Sequence, residues 1–190
     1  MKRPGVRLSG GTHGGRTVAV PPGARPTEGR VREALFSIWG SRLDGCRFLE
    51  LYAGSGAVGL EAAGRGAFEV LCLDASPRAV QTLEANRDAL KEKAVTVRRA
   101  NLPAALHRLA EEDAPFDLVF ADPPYRTADH ASLLAAAAPL LAQDGELALE
   151  HDRRLQLPLE IAGLVRTDQR RYGESALSFY RRGPGADTRS

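Results

Sequence analysis

The sequence predicts an α/β fold, a mostly parallel sheet of seven strands with helices on both faces and a small β-hairpin ahead of it. Three observations predict it. Short apolar runs alternate with helix-length amphipathic stretches through most of the chain. A glycine-rich turn, Tyr52-Ala53-Gly54-Ser55-Gly56-Ala57-Val58-Gly59, joins one such run directly to a helix. A second run, Leu118-Val119-Phe120-Ala121, reads as a buried strand and stops at Asp122-Pro123-Pro124-Tyr125, because two prolines cannot continue a ladder.

Taken in order, Val6–Ser9 and Arg16–Val20 alternate apolar and polar residues around Gly10-Gly11-Thr12-His13-Gly14-Gly15, a hairpin connection whose glycines predict a mobile tip. Pro21-Pro22-Gly23-Ala24-Arg25-Pro26 forces an extended linker. Thr27 is a good N-cap for a helix running to about Trp39. Its apolar face is Val31, Ala34, Leu35, Ile38 and Trp39, which leaves Arg30, Arg32 and Arg42 for other sides. A strand over Cys46–Leu51 leads into the glycine turn, and the helix that follows ends at Gly64-Arg65-Gly66. The strand Val70–Leu73 ends at Asp74. Ser76-Pro77 then caps a helix to about Leu90, with Ala79, Val80, Leu83, Ala85 and Leu90 on its buried side. The strand Val95–Val97 passes through Asn101-Leu102-Pro103 into a helix to about Ala110.

Beyond Tyr125 an alanine- and leucine-rich helix is predicted over Asp129–Leu141. Gln143-Asp144-Gly145 then turns into the strand Glu146–Glu150. Residues 151–163 are less regular. Leu164–Arg166 and Ala176–Tyr180 are the final strands, joined by Arg170-Arg171-Tyr172-Gly173-Glu174-Ser175. The expected organisation is a basic hairpin and linker over 1–26, a main domain over 27–182 whose first helix occupies 27–44, and a disordered tail over 183–190.

Composition narrows the classes of function. A hydrophobic content of 43% with 26% charged residues is ordinary for a soluble globular chain of 190 residues. No apolar run is long enough to span a bilayer, and Met1-Lys2-Arg3-Pro4-Gly5 does not open a signal peptide, so a cytoplasmic protein is expected. Cys46 and Cys72 fit reduced, buried thiols, and the four scattered histidines offer no metal-ligand spacing. The net charge of +2 hides an asymmetry: +5 over residues 1–44, −6 over 45–150 and +3 over 151–190. Basic ends around an acidic middle suit a polyanion docking on the flanks. Arginine heavily outnumbers lysine, a bias that genome composition or thermal adaptation explains as readily as function does.

The chemistry sits where strands end. Gly54, Gly56 and Gly59 match a dinucleotide fingerprint, in which glycines admit a ligand to the backbone and the helix N-terminus offers free N–H groups. That spacing alone keeps a nicotinamide-dependent oxidoreductase in play. Asp74 can accept both hydroxyls of a ribose, and Asn101 lies on the same rim. Glu50, four residues ahead of Gly54, can attract an ammonium group directly or through water, which a pyrophosphate gives no reason for. S-adenosylmethionine has an ammonium, a ribose and an adenine amine to suit Glu50, Asp74 and Asn101. Asp122-Pro123-Pro124-Tyr125 then reads as a clamp for a flat, amine-bearing group, with two acceptors and one stacking face.

Glu50 to Ala62 and Asp122-Pro123-Pro124-Tyr125 resemble the two signatures of amino-group methyltransferases. Arg25-Pro26-Thr27, with Arg30-Val31-Arg32-Glu33-Ala34-Leu35-Phe36, the Gly10-Gly11 hairpin and Tyr172-Gly173, is similar to the RsmD family over roughly Val6–Tyr180. That resemblance implies a Rossmann-like class I methyltransferase fold and methylation of N2 of one guanine in small-subunit (16S) ribosomal RNA, with S-adenosylmethionine as donor. It implies a donor site of Glu50, Tyr52, Gly54, Gly56, Asp74, Ala75, Asn101, Leu102 and Asp122, and catalysis by Asp122, Pro123, Pro124 and Tyr125. RNA contacts are expected from Arg3, Arg7, Arg16, Arg25, Thr27, Arg30, Arg32 and Gly173, with Arg170 and Arg171 as further candidates. Arg25 and Thr27 are alternatively a lid over the donor. Ser76 stands where the family often has Asp or Asn, and Asn101 where it often has Asp, but an amide oxygen still accepts from an adenine amine. A monomer acting on a ribonucleoprotein particle is implied as well. An adenine-N6 or glutamine methyltransferase uses nearly the same clamp, so the amine stays open on the residues alone.

Overall fold

Short apolar strands separated by amphipathic helices can bury both strand faces only by stacking into one sheet covered on each side. The computed structural model, which describes residues 5–23, 29–124 and 129–184, contains that sheet. The chain runs β1 (Gly5–Arg7), β2 (Thr17–Ala19), α1 (Gly29–Trp39), β3 (Arg47–Leu51), α2 (Ala57–Gly64), β4 (Glu69–Asp74), α3 (Pro77–Leu90), β5 (Val95–Arg99), α4 (Ala105–Glu112) and β6 (Phe116–Ala121). It continues as α5 (His130–Ala137), β7 (Leu141–Asp152), β8 (Glu160–Ile161), β9 (Leu164–Tyr172) and β10 (Ser175–Arg182). The large sheet has the order β5-β4-β3-β6-β7-β10-β9-β8, and β1 and β2 pair separately. The first five strands of that order are parallel, and β10, β9 and β8 are added antiparallel. Strand order therefore reverses between β3 and β6, and the crevice beyond their carboxyl ends is where such sheets bind ligands.

The pleat sorts the core. Phe48, Val70, Phe120 and Phe179 face one side of the sheet, with α1 (Val31, Leu35, Phe36, Trp39), α2 and Leu83 of α3. Val6, Leu8, Val18 and Val20 of the N-terminal segment are buried in that same cluster. Leu49, Leu51, Leu71 and Val119 face the other side, against Leu106 and Leu109 of α4 and Leu133, Leu134 and Ala137 of α5. Among the described residues no helix is long and apolar enough to cross a membrane.

Several boundaries differ from the sequence reading. The sheet has eight strands rather than seven. The extra one, Glu160–Ile161, is held by main-chain pairing to Val165 and Leu164, and two residues carry no period to read. The helix expected over Asp129–Leu141 ends at Ala137, and a 3₁₀ turn over Ala138–Leu140 precedes β7. Gln143-Asp144-Gly145 lies inside β7, beside a register shift between Phe116 and Leu118 of β6. The last hairpin is longer than predicted, so Arg170 and Arg171 are strand residues and the turn is Gly173-Glu174. Ala85 of α3 is exposed, whereas Asn86 is buried.

The hairpin tip is docked, not mobile. Thr12 N–H donates to Gly64 O at 2.7 Å, and the His13 ring lies 2.7 Å from Glu92. A Cβ on Gly11 would lie 2.4 Å from the Gly64 carbonyl, so glycine here serves close approach as well as a left-handed backbone at φ 69°. The tail beyond residue 184 lies outside the described residues.

Candidate functional site

Strand register brings the polar strand ends onto one rim. Leu51 of β3 pairs with Leu73 of β4 and with Ala121 of β6, so Tyr52, Asp74 and Asp122 leave the sheet side by side. Asp74 pairs with Arg99 of β5, which sets Asn101 just beyond.

The glycine loop is fastened on every side. Tyr52 leaves β3 with φ 60°, a costly conformation for a non-glycine residue, and Gly54 (φ 55°) and Gly56 (φ 72°) follow in the same region. Burial pushes the half-buried Tyr52 phenol up. Gly54 N–H donates to Asp74 Oδ2 at 2.9 Å, and Ser76 N–H to Asp74 Oδ1 at 2.8 Å. Gly56 N–H donates to Ala53 O at 2.7 Å. A Cβ on Gly56 would fall 2.4 Å from Leu83 Cγ, so only glycine lets α3 support the loop this closely.

Beneath the loop, Glu50 is 3% exposed. Its Oε2 accepts Gly59 N–H at 2.8 Å and the Cys72 thiol at 3.3 Å. Burial pushes its carboxyl up to about 7, although the Gly59 N–H pulls the other way. A Cβ on Gly59 would lie 2.5 Å from Cys72 Sγ and 2.7 Å from Glu50 Oε2, so the third glycine allows α2 to press onto β3 and β4. The sequence reads Glu50 as a ligand carboxylate; the structure gives it the further task of anchoring α2. Cys46 and Cys72 are both buried and unbridged, and burial pushes the Cys46 thiol up to about 12.

Around the rim, Ala75 and Asn101 are exposed, and Leu102 is half-buried against the second core. Asp122 is half-buried with its N–H toward Leu51 O at 3.4 Å, Pro123 is buried and Pro124 exposed. Tyr125 lies outside the described residues, as do Arg3, Arg25 and Thr27.

The flanking arginines separate into two kinds. Arg7, Arg16, Arg30 and Arg171 are exposed, with Arg16 Nη2 3.5 Å from Ala89 O. Arg170 is exposed too but pairs with Asp168 at 2.8 Å. Gly173 forms the exposed β9–β10 turn with φ 59°. Arg32 is a correction: it is 3% exposed, not a phosphate contact. Its Nε donates to Glu61 Oε2 at 3.1 Å and its Nη2 to Arg7 O. Glu61, fully buried, also accepts Ser9 N–H at 2.9 Å and Arg65 Nη2–H at 2.8 Å. Burial alone would raise the Glu61 carboxyl, but Ser9, Arg65 and Arg32 together hold it below the usual range.

Three residues near the site escape the sequence reading. Asn86 donates to Ser55 O within the loop at 2.9 Å, and a lone amide spaced three residues from Leu83 on an apolar helix face is the available signal. Arg99 donates to Ala75 O at 3.1 Å. Glu150, buried in β7, continues the register of the Ala121–Leu149 pair and so falls beside Asp122. Neither of the last two has a sequence signal beyond its strand.

With this geometry in place, the likenesses to known proteins are informative. Residues 6–181 match the family described as Conserved hypothetical protein 95. A Bacillus subtilis protein named as a candidate rRNA methyltransferase, YlbH, is 34% identical over 182 residues, covering 93% of this chain and 99% of its own. The Escherichia coli ribosomal RNA small subunit methyltransferase D is 37% identical over 158 residues, covering 79% and 76%. The solved structure of a Thermus thermophilus protein, TTHA0928, superposes with a TM-score of 0.81 at 34% identity, covering 93% of this chain and 99% of that one. A match spanning almost the whole length, on a sheet whose strand ends carry the glycine loop and Asp122 on one rim, shows that the chain belongs to the RsmD family of methyltransferases.

Proposed function

We propose that this protein transfers a methyl group from S-adenosylmethionine to the exocyclic N2 amine of a guanine in small-subunit ribosomal RNA. The observation that carries the reading is the placement of the Asp74-braced glycine loop and Asp122-Pro123-Pro124 on adjacent strands, either side of the switch point. The names of the relatives support ribosomal RNA as substrate. The guanine is the finer step, taken from the family resemblance.

The loop fits the donor. Around a Cβ built on Gly54 nothing comes closer than Tyr52 O at 4.0 Å, so the backbone there faces open space. Asp74 Oδ2 uses one lone pair on the loop and Oδ1 uses one on Ser76 N–H, so each keeps another for a ribose hydroxyl. Tyr52, Gly54, Gly56, Ala75, Asn101 and Leu102 would line the remainder, with Glu50 below. S-adenosylmethionine supplies a methyl group on a sulfonium that carries its own activation.

The chain's part is to make a poor nucleophile competent. Guanine's N2 lone pair is delocalised into the ring. Acceptors at the Asp122 carboxylate and the Pro123 carbonyl would hold the two N–H bonds out of the ring plane and localise that pair. Successive prolines keep both acceptors in place, and pre-set geometry of this kind supplies much of an enzyme's acceleration. Tyr125 would stack on a base withdrawn from the RNA stack. Nitrogen becomes strongly acidic only once alkylated and its proton then passes to water, so Asp122 orients the amine and no strong base is required. Arg7, Arg16 and Arg30 are exposed and would contact RNA phosphates.

Labelled-methyl transfer to 16S ribosomal RNA followed by nucleoside analysis tests this directly. Asp122→Ala should lower transfer by about a hundredfold or more, while S-adenosylhomocysteine binds within a few-fold of native. Full activity in Asp122→Ala would overturn the clamp. A label on adenine or on protein would overturn the substrate.

A further inference from the structure

Of the three buried residues of α3, Ala79, Leu83 and Asn86, only Asn86 is polar. Its amide makes three hydrogen bonds. Nδ2 donates to Ser55 O and to Ala19 O, each at 2.9 Å, and Oδ1 accepts Ala19 N–H at 2.9 Å. Two donors and one acceptor at this length are what an asparagine offers. Aspartate would keep the acceptor and lose both donors, and leucine would lose all three.

The two partners belong to different parts of the molecule. Ser55 sits between Gly54 and Gly56, both left-handed, at the middle of the glycine loop. Two glycines flanking one residue leave that segment much conformational freedom unless it is tied down. Asp74 ties Gly54, Ala53 ties Gly56, and Asn86 ties Ser55. Ala19 belongs to β2 of the N-terminal hairpin, which also rests on the end of α3 through Arg16 on Ala89 O and is held by the His13–Glu92 pair just beyond. One side chain thus joins the hairpin to the loop.

We propose that Asn86 is a positioning residue for the methyl-donor loop, and that through it the N-terminal hairpin forms part of the support of the donor site. The inference rests on the reading of the glycine loop as the donor site. The hairpin then has two duties: to carry exposed arginines, and to hold the Ser55 backbone in the shape that receives the donor.

The test measures S-adenosylhomocysteine binding by calorimetry, the KM for S-adenosylmethionine, kcat at saturating donor, RNA affinity and thermal stability. In Asn86→Asp, the Kd for S-adenosylhomocysteine and the donor KM should rise about tenfold, since the buried Ser55 carbonyl and the part-buried Ala19 carbonyl lose their donor. kcat at saturating donor and RNA affinity should stay within about threefold. Ala19→Pro is the second variant. It removes the N–H that reaches Asn86 and fixes φ at that residue, lies outside the large sheet, and should raise the same Kd about threefold. A Kd and KM within twofold of native in Asn86→Asp, with only thermal stability lowered, would overturn the proposal. Should Asn86→Asp not fold, Ala19→Pro decides by the same criterion. If the unsubstituted protein bound no S-adenosylhomocysteine, the donor-site reading itself would fall. Binding by the native protein and both variants alike would remove this inference and leave that reading standing.

Discussion

The glycine loop and the arginine-rich flank obey the same rule and yield opposite lessons. In both, buried polar groups must find partners. In the loop the partners are main-chain groups whose geometry demands glycine, so the residue type announces the structure: Gly56 lies against Leu83, and Gly59 against Cys72 and Glu50. In the flank the partner of a guanidinium can be an RNA phosphate or a buried carboxylate, and the residue type is arginine either way. Arg30 and Arg32 sit two residues apart on one helix, yet the first is exposed and the second is shut in with Glu61.

The largest way to sharpen that contrast is to remove the buried guanidinium. Arg32→Ala leaves Glu61 without one of its cations in a site closed to water. Breaking a buried pair from one side costs about 3–5 kcal/mol. At roughly 2–4 °C per kcal/mol for a chain of this size, the melting temperature should fall by about 10 °C. Calorimetric scans read this, with RNA affinity measured on the folded fraction. An unchanged melting temperature with weakened RNA binding would return Arg32 to the phosphate surface.

A smaller effect is expected at Glu50, where the loop meets its own cost. Its carboxyl stands at about 7, above the ordinary 4.5. A raised folded-state value means that the stability linked to its proton is fully present below pH 4.5 and is lost as pH rises through about 7. Glu50→Gln keeps an oxygen for Gly59 N–H and cannot ionise. It should be more stable than the native chain at pH 8 by roughly 1–3 kcal/mol, with little difference at pH 4.5. Donor affinity should fall in the same variant, the pattern of a charge kept for function at the expense of stability. Urea unfolding at the two pH values is the measurement. Parallel profiles for the two chains would mean that Glu50 does not titrate in this window.

What the sequence makes legible follows the same division. Strand ends are readable because apolar runs stop abruptly at Asp74 and Asp122, and the topology of a parallel sheet then brings them to one rim. The Gly54, Gly56 and Gly59 spacing is readable as a loop-and-helix signature, and at Gly56 and Gly59 the structure shows contacts that a Cβ would block. Gly11 is glycine for the same reason, but in sequence it reads as freedom because its backbone neighbours, Gly64 and Arg65, are more than fifty residues away. Arg32 is invisible for a related reason, and Asn86 shows only as a lone amide on an apolar helix face. A polar side chain on a helix gives no sign of whether water or a distant backbone satisfies it. The eighth strand, Glu160–Ile161, is held by main-chain bonds that no side chain records.

The smallest effect on stability should come from Arg30, and it is the sharpest test of the flank. Arg30 is the second residue of α1, in a first turn that carries no acidic residue. A cation there opposes the helix dipole, so Arg30→Glu should leave the fold unharmed or stabilise it by up to about 1 kcal/mol. A surface arginine that is mildly unfavourable in its own helix makes sense if something anionic meets it. For RNA binding the same variant should reduce the slope of log K against log salt by about 1 to 2, the signature of a lost phosphate contact. An unaltered slope in Arg30→Glu together with a reduced one in Arg171→Glu would move the RNA from the first helix to the β9–β10 hairpin. The exposed Arg7 and Arg16 of the N-terminal hairpin would then be the next to test, because Asn86 ties that hairpin to Ser55 of the glycine loop.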